Sequence, residues 1–152
     1  MEISAEKTKL MANNTRGINA HIKVNGQKLE TVTSFKYLGS VITDKGCKLE
    51  ILSRIAQTTA ALTRLKPVWN DRSISLSSKI RLIVSIFMYA CESWTLIAEL
   101  QSRIRAMEMR CYRKILRISY TDHVTNEEVR AKIQQAIGAH EDLLTIVKRR
   151  RL

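Results

Sequence analysis

The chain has 152 residues, and 26 Lys and Arg against 14 Asp and Glu give it a formal charge of +12. Apolar residues make up 45% of it, enough to build a core and too many for general disorder. One Pro and five Gly exclude collagen-like and linker-like chains, and no run of about 18 apolar residues exists to span a bilayer. The charge is uneven: residues 101–152 hold net +6, half of the excess. Such a balance favours a polyanionic partner, most often nucleic acid, over a merely solubilising surface or an anionic membrane. Three Cys, at 47, 91 and 111, are widely spaced and odd in number. That pattern fits a reducing compartment and neither a disulfide scaffold nor a paired-Cys metal site. Residues 1–7 carry no apolar signal segment, so we expect an intracellular protein, of nucleus or cytoplasm, that is not secreted and binds no membrane.

The first forty-odd residues read as strands. Ala20 to Val24 alternates, Asn25-Gly26 supplies a turn that tolerates positive φ, and Gln27 to Val32 follows, a strong hairpin signal. Next, Phe35 to Thr43 is aromatic and β-branched and is closed by Asp44-Lys45-Gly46. Read as one strand, it puts Phe35, Tyr37, Gly39 and Val41 on one face and Lys36, Leu38 and Ile42 on the other. After Gly46 the apolar period lengthens to that of a helix. Ile51, Ile55, Leu62 and Leu65 mark a stripe over 49–65, with Thr58 at the vacant position, and Pro67 stops it. A loop over Asp71 to Ser75 leads to a helix over 76–91, with Ile80, Ile83, Val84, Phe87, Met88 and Cys91 facing in. Trp94 and Thr95 form a turn. The third helix, over 97–118, has a seam of Leu100, Ile104, Met107, Cys111, Ile115 and Ile118, with Arg103, Arg110, Arg113, Lys114 and Arg117 on its flank. Thr125 and Glu128 fit a capping box that opens a fourth helix ending at Gly138. A short segment over Glu141 to Val147 precedes the basic run Lys148 to Arg151. The expected fold is α+β and mainly α: a short N-terminal antiparallel β region over 1–46, then a helical bundle over 47–152.

Self-contained chemistry is hard to find. No two Asp are adjacent, and Glu127-Glu128 and Glu141-Asp142 stand at helix starts, where acids complement the dipole. The His residues at 21, 123 and 140 have no ligand-like spacing, and no phosphate-cradling glycine motif occurs. Cys91 and Cys111 read as core rungs. Tyr112 reads equally as a stacking residue or as one buried against a neighbour. Gly39 is either a bulge or a position where the backbone must lie near a ligand. Catalytic and metal residues are therefore expected to be absent.

Several strings carry a likeness to a known family: Glu6-Lys7-Thr8-Lys9-Leu10-Met11, Phe35-Lys36-Tyr37-Leu38-Gly39-Ser40-Val41-Ile42-Thr43, the block from Ile51 to Arg64, Tyr89-Ala90-Cys91-Glu92-Ser93-Trp94-Thr95-Leu96, Met109-Arg110-Cys111-Tyr112-Arg113-Lys114-Ile115-Leu116 and His123 to Val129. Together they resemble the reverse transcriptase of non-LTR retrotransposons, of the RTE-like type that joins an endonuclease to a reverse transcriptase. The likeness covers nearly the whole chain and lies in the downstream part of that enzyme. It implies the following. The aromatic-x-Asp-Asp motif of the palm would precede this sequence, which has no such pair. Lys7, chosen over Lys9, would match a palm lysine near the incoming nucleotide. Phe35 to Gly39 would match the primer grip, so Lys36, Tyr37 and Gly39 would position the primer end. The helices would match the thumb, which clamps the template–primer duplex, with Arg103, Arg110, Arg113, Lys114 and Arg117 on its phosphates. The second helix is about one turn shorter than the family pattern, and the family continues past the final basic run.

The resemblance implies a non-catalytic fragment that binds RNA or an RNA–DNA duplex without reading sequence. It needs no cofactor, since Mg²⁺ belongs to the full-length parent, an RNA-directed DNA polymerase whose carboxylates hold the metal. It also implies surface for self-association, normally covered by palm and fingers. The alternative is a degenerate element-derived helical protein with protein–protein contacts and no nucleic-acid role.

Overall fold

A computed structural model describes residues 4, 7–12, 21–37, 39–43 and 46–150. Among the sequence-read positions, Glu6, Ala20, Leu38, Asp44, Lys45 and Arg151 lie outside the described residues. The fold is α+β and mainly α, with six short strands followed by six helices among the described residues. The chain divides into two compact units, 1–50 and 51–152.

In the first unit, β2 (Lys23–Val24) and β3 (Gln27–Lys28) form the expected hairpin, with Val24 opposite Gln27. Asn25 and Gly26 both take positive φ, 50° and 79°, which is the geometry that a two-residue hairpin turn requires. The Leu29 amide extends the ladder by donating to the Ile22 carbonyl at 2.9 Å. One ladder departs from the antiparallel expectation: β1 (Lys9–Leu10) pairs in parallel with β4 (Glu30–Thr31). Parallel neighbours need a long crossover. Nineteen residues separate the two strands in sequence, and Lys9 and Glu30 close the ladder with an ion pair.

The Phe35–Thr43 string is not one strand. It folds as a hairpin of β5 (Ser34–Tyr37) and β6 (Ser40–Thr43), with Tyr37 opposite Ser40 and Phe35 opposite Ile42. Directly paired residues share a face. Ile42 therefore joins Phe35 and Tyr37, while Val41 falls opposite Lys36 on the other side, the reverse of the single-strand assignment. The two-residue connection holds Gly39 at φ 85°, a conformation that a side chain disfavours.

The helices of the second unit are α1 (Lys48–Arg64), α2 (Lys66–Asn70), α3 (Leu76–Phe87), α4 (Ala98–Leu116), α5 (Asn126–Ile137) and α6 (Leu143–Arg150). Along α1, Ile51, Thr58 and Leu62 are buried, and Thr58 completes the stripe with a hydroxyl that has no partner. Pro67 does not simply stop the chain: it opens α2, where the missing N–H is an orphan in any case. Two side chains lock the next connections. The Trp69 indole N–H donates to the Leu62 carbonyl at 2.8 Å, and the buried Lys79 ammonium donates to the Trp69 and Asp71 carbonyls at 3.0 and 2.6 Å. These contacts satisfy carbonyls left free at the ends of α1 and α2.

Helix α3 ends at Phe87, four residues before the sequence expectation. Ala90 takes φ 59°, and a 3₁₀ turn over Cys91–Ser93 follows. The break lets Trp94 bury edge-on against Phe87, with ring centroids 5.2 Å apart, while Cys91 stays in the core. The capping box at Thr125 and Glu128 forms as read, with reciprocal bonds of 2.7 and 3.3 Å. The final basic run also differs from its reading. Lys148 to Arg150 form the last turn of α6, where cations complement the dipole. Among the described residues, no helix is long and apolar enough to cross a membrane.

Candidate nucleic-acid interface

The implied site residues fall into separate groups, each within one unit. In the first unit, Lys7 is exposed in a turn just before β1. Lys9 is engaged by Glu30, which leaves Lys7 the freer of the two lysines. Lys36, Tyr37 and Gly39 share the β5–β6 hairpin end. Tyr37 is exposed and its ring stacks on Phe35, with centroids 6.4 Å apart and planes 27° from parallel. Alternation aims Lys36 to the other face of the hairpin from Tyr37.

In the second unit, α4 has two distinct faces. Leu100, Ile104, Met107, Cys111 and Ile115 are buried as the seam requires. At 3.6 residues per turn, Arg103, Arg110 and Lys114 fall within about 40° of one another around the helix axis. All three are exposed. Arg103 pairs with Glu99 one turn back at 3.2 Å. The Arg110 and Lys114 side chains make no hydrogen bond or ion pair to another described residue. The other two predicted cations have structural work. Arg113 donates to the Val124 carbonyl at 2.9 Å and the Asn126 side chain at 2.8 Å, tying the start of α5 to α4. Arg117 caps α4 with φ 58° and donates to the Asn70 carbonyl at 2.7 Å. Each guanidinium has five N–H donors, so both retain some for a further acceptor.

A groove of about 680 Å³ runs beside this cationic row. Leu62 of α1, Met109 of α4 and Ile118 contribute its apolar floor, and Arg110, Arg113 and Lys114 its charged rim. A smaller hollow, lined by Leu52, Ile55 and Arg103, continues along the same two helices. Tyr120 stands at the groove's end with 93% of its surface exposed. Its place is fixed locally. The Ser119 amide donates to Asp122 at 2.7 Å and the Ser119 hydroxyl accepts from the Thr121 amide, a capping box around the 3₁₀ turn Tyr120–Asp122. Sequence reading missed Tyr120. A Ser-Tyr-Thr-Asp loop directly after a cationic helix was the available signal.

Tyr112 resolves to the buried alternative. Its hydroxyl donates to Glu108 Oε1 at 2.9 Å and lies 2.7 Å from His140 Nε2. Glu108 is completely buried, and Oε1 also accepts the Leu143 amide at 2.7 Å, the first N–H of α6. Its second oxygen has no partner. Burial pushes the Glu108 carboxyl above the usual range, against the pull of the Leu143 and Tyr112 hydrogen bonds. Burial likewise lowers His140. The Cys111 thiol is pushed up to about 12 by burial, so it is an unreactive core group. His21 and His123 are exposed. Among the described residues, no group of three or more His, Cys, Asp or Glu is placed to hold a metal ion.

No family model matches the chain, and neither a curated protein nor a solved structure matches it.

Proposed function

We propose that the chain is the primer-grip and thumb portion of a reverse-transcriptase-like protein of the non-LTR retrotransposon type. It holds template–primer nucleic acid by its phosphates, without reading sequence, inside the nucleus or cytoplasm. The observation that carries the binding role is the α4 row: three exposed cations in register on the flank of a buried seam. A rigid helix that presents Lys and Arg in line can track a phosphate backbone, and contacts of that kind position a nucleic-acid strand without specifying bases. The hairpin turn at Gly39 supports the primer-grip half of the reading, because a turn with positive φ brings backbone close to a ligand without a side chain between them. As an isolated chain it transfers no nucleotides, since its sequence contains no adjacent Asp pair to hold the metal.

Fluorescence anisotropy with a labelled RNA–DNA primer–template tests the reading. Three phosphate contacts predict an affinity about fortyfold weaker at 200 mM than at 50 mM salt, and one nearly independent of base sequence. An affinity that ignored salt, or one confined to a single sequence, would overturn it.

A further inference from the structure

We propose that the groove between α1 and α4 takes a single-stranded segment of nucleic acid, with phosphates along Arg103, Arg110 and Lys114 and an unpaired base stacked on Tyr120. This deepens the binding role above and rests on it, since it names the strand form that the cationic face receives. Three observations converge. The charged row borders a groove with an apolar floor, and a flat cationic patch would have none. The row spans about 16 Å along the axis, the length of about five stacked nucleotides at ~3.4 Å each. Its far end carries an aromatic ring that is almost wholly exposed, so a ring face is open for stacking.

The geometry of bases selects the strand form. In a duplex the bases stack on one another and present only their edges to the grooves, so an exposed ring finds no base face to cover. An unpaired base offers both faces, and stacking on an aromatic side chain tolerates any sequence. The Ser119–Asp122 capping box holds the turn that bears Tyr120, so the ring is presented without first being ordered. His123, with its ring centroid 6.4 Å from that of Tyr120, stands beside it as a second planar group. Asn126 and the Arg113 guanidinium at the rim hold each other at 2.8 Å and offer remaining polar atoms to a base edge.

Residues 1–152 would be titrated with a labelled ten-nucleotide RNA strand and with the blunt ten-base-pair duplex of the same sequence. The proteins compared would be the parent, Tyr120→Ala, Tyr120→Phe and Arg110→Gln/Lys114→Gln. The side chain of Tyr120 is outside the core, so circular dichroism should show all of them folded. The expected result is tighter binding of the single strand. Tyr120→Ala should weaken that binding about tenfold, Tyr120→Phe should keep it, and neither should alter duplex affinity. Both forms should weaken in Arg110→Gln/Lys114→Gln. Duplex preferred over single strand, or Tyr120→Ala without a selective effect, overturns the inference while leaving the phosphate-binding role intact. No binding of either probe at low salt overturns both.

Discussion

The two units of the chain bury very different amounts of apolar surface. In residues 51–152 nearly every seam position is buried, including Trp69, Phe87, Trp94 and the α4 row from Leu100 to Ile115. In residues 1–50, Leu29 is the only buried apolar side chain among the described residues, while Ile22, Tyr37 and Ile42 are exposed. Strands of two to four residues without a covered face are marginal in water. A helical unit can be stable through its own packing, whereas the β unit has little apolar burial with which to offset its ordering entropy. The difference fits the division of labour proposed above: a firm helical surface presenting fixed cations, and a soft hairpin that gains order from what it holds.

Native-state hydrogen exchange should show the largest effect. The Leu29 and Val32 amides should exchange about a thousandfold faster than those of Met107 and Cys111, because the first unit opens without the second. Equal protection in both would mean that they unfold as one. Next in size is Glu108→Ala, expected to cost about 3 kcal/mol in chemical denaturation, since the Leu143 amide and the Tyr112 hydroxyl both lose their acceptor in the core. A cost below that of an ordinary surface change would show that the α4–α6 tie is dispensable. Thr58→Val should stabilise by about 1 kcal/mol, because it removes a buried hydroxyl that has no partner at nearly constant volume.

The smallest effect concerns pH. The folded Glu108 carboxyl is raised above its unfolded value, so in that window the folded state holds more protons than the unfolded one. Stability from this group is therefore fully present below the ordinary carboxylate range and is lost as pH rises through the raised value. His140, lowered by burial, contributes the opposite slope: stability present above its ordinary range and lost as pH falls through the lowered value. Subtracting the stability–pH curve of Glu108→Gln from that of the parent isolates the carboxyl. The difference should fall with rising pH, and a flat difference would contradict a raised folded value.

Much of the helical unit was legible in the sequence because its signals are local. The period of Leu100 to Ile115 fixed both the length and the inward face of α4, and the Thr125–Glu128 spacing fixed the start of α5. Misreadings came where distant groups decide. Nothing local in Tyr-Leu-Gly-Ser distinguishes a strand running through from a hairpin reversing, yet the reversal exchanges the faces of Val41 and Ile42. The end of α3 was overrun because the pull on Trp94 comes from its burial against Phe87, not from a breaker residue. Nothing in the sequence around Glu108 sets it apart from a surface acid. Its burial depends on α6 arriving thirty-five residues later to donate the Leu143 amide. For the candidate site, the cationic row was visible in the spacing. The partners that engage Arg113 and Arg117 were not, nor was the groove that ends at Tyr120.

The most direct test of the α4 face is the salt dependence of nucleic-acid affinity in Arg103→Gln/Arg110→Gln/Lys114→Gln, compared with the parent chain. Three lost phosphate contacts should make the slope of log affinity against log salt shallower by about 2 to 3, with base preference unchanged. An unchanged slope would place the binding charge elsewhere and contradict the assignment of this face.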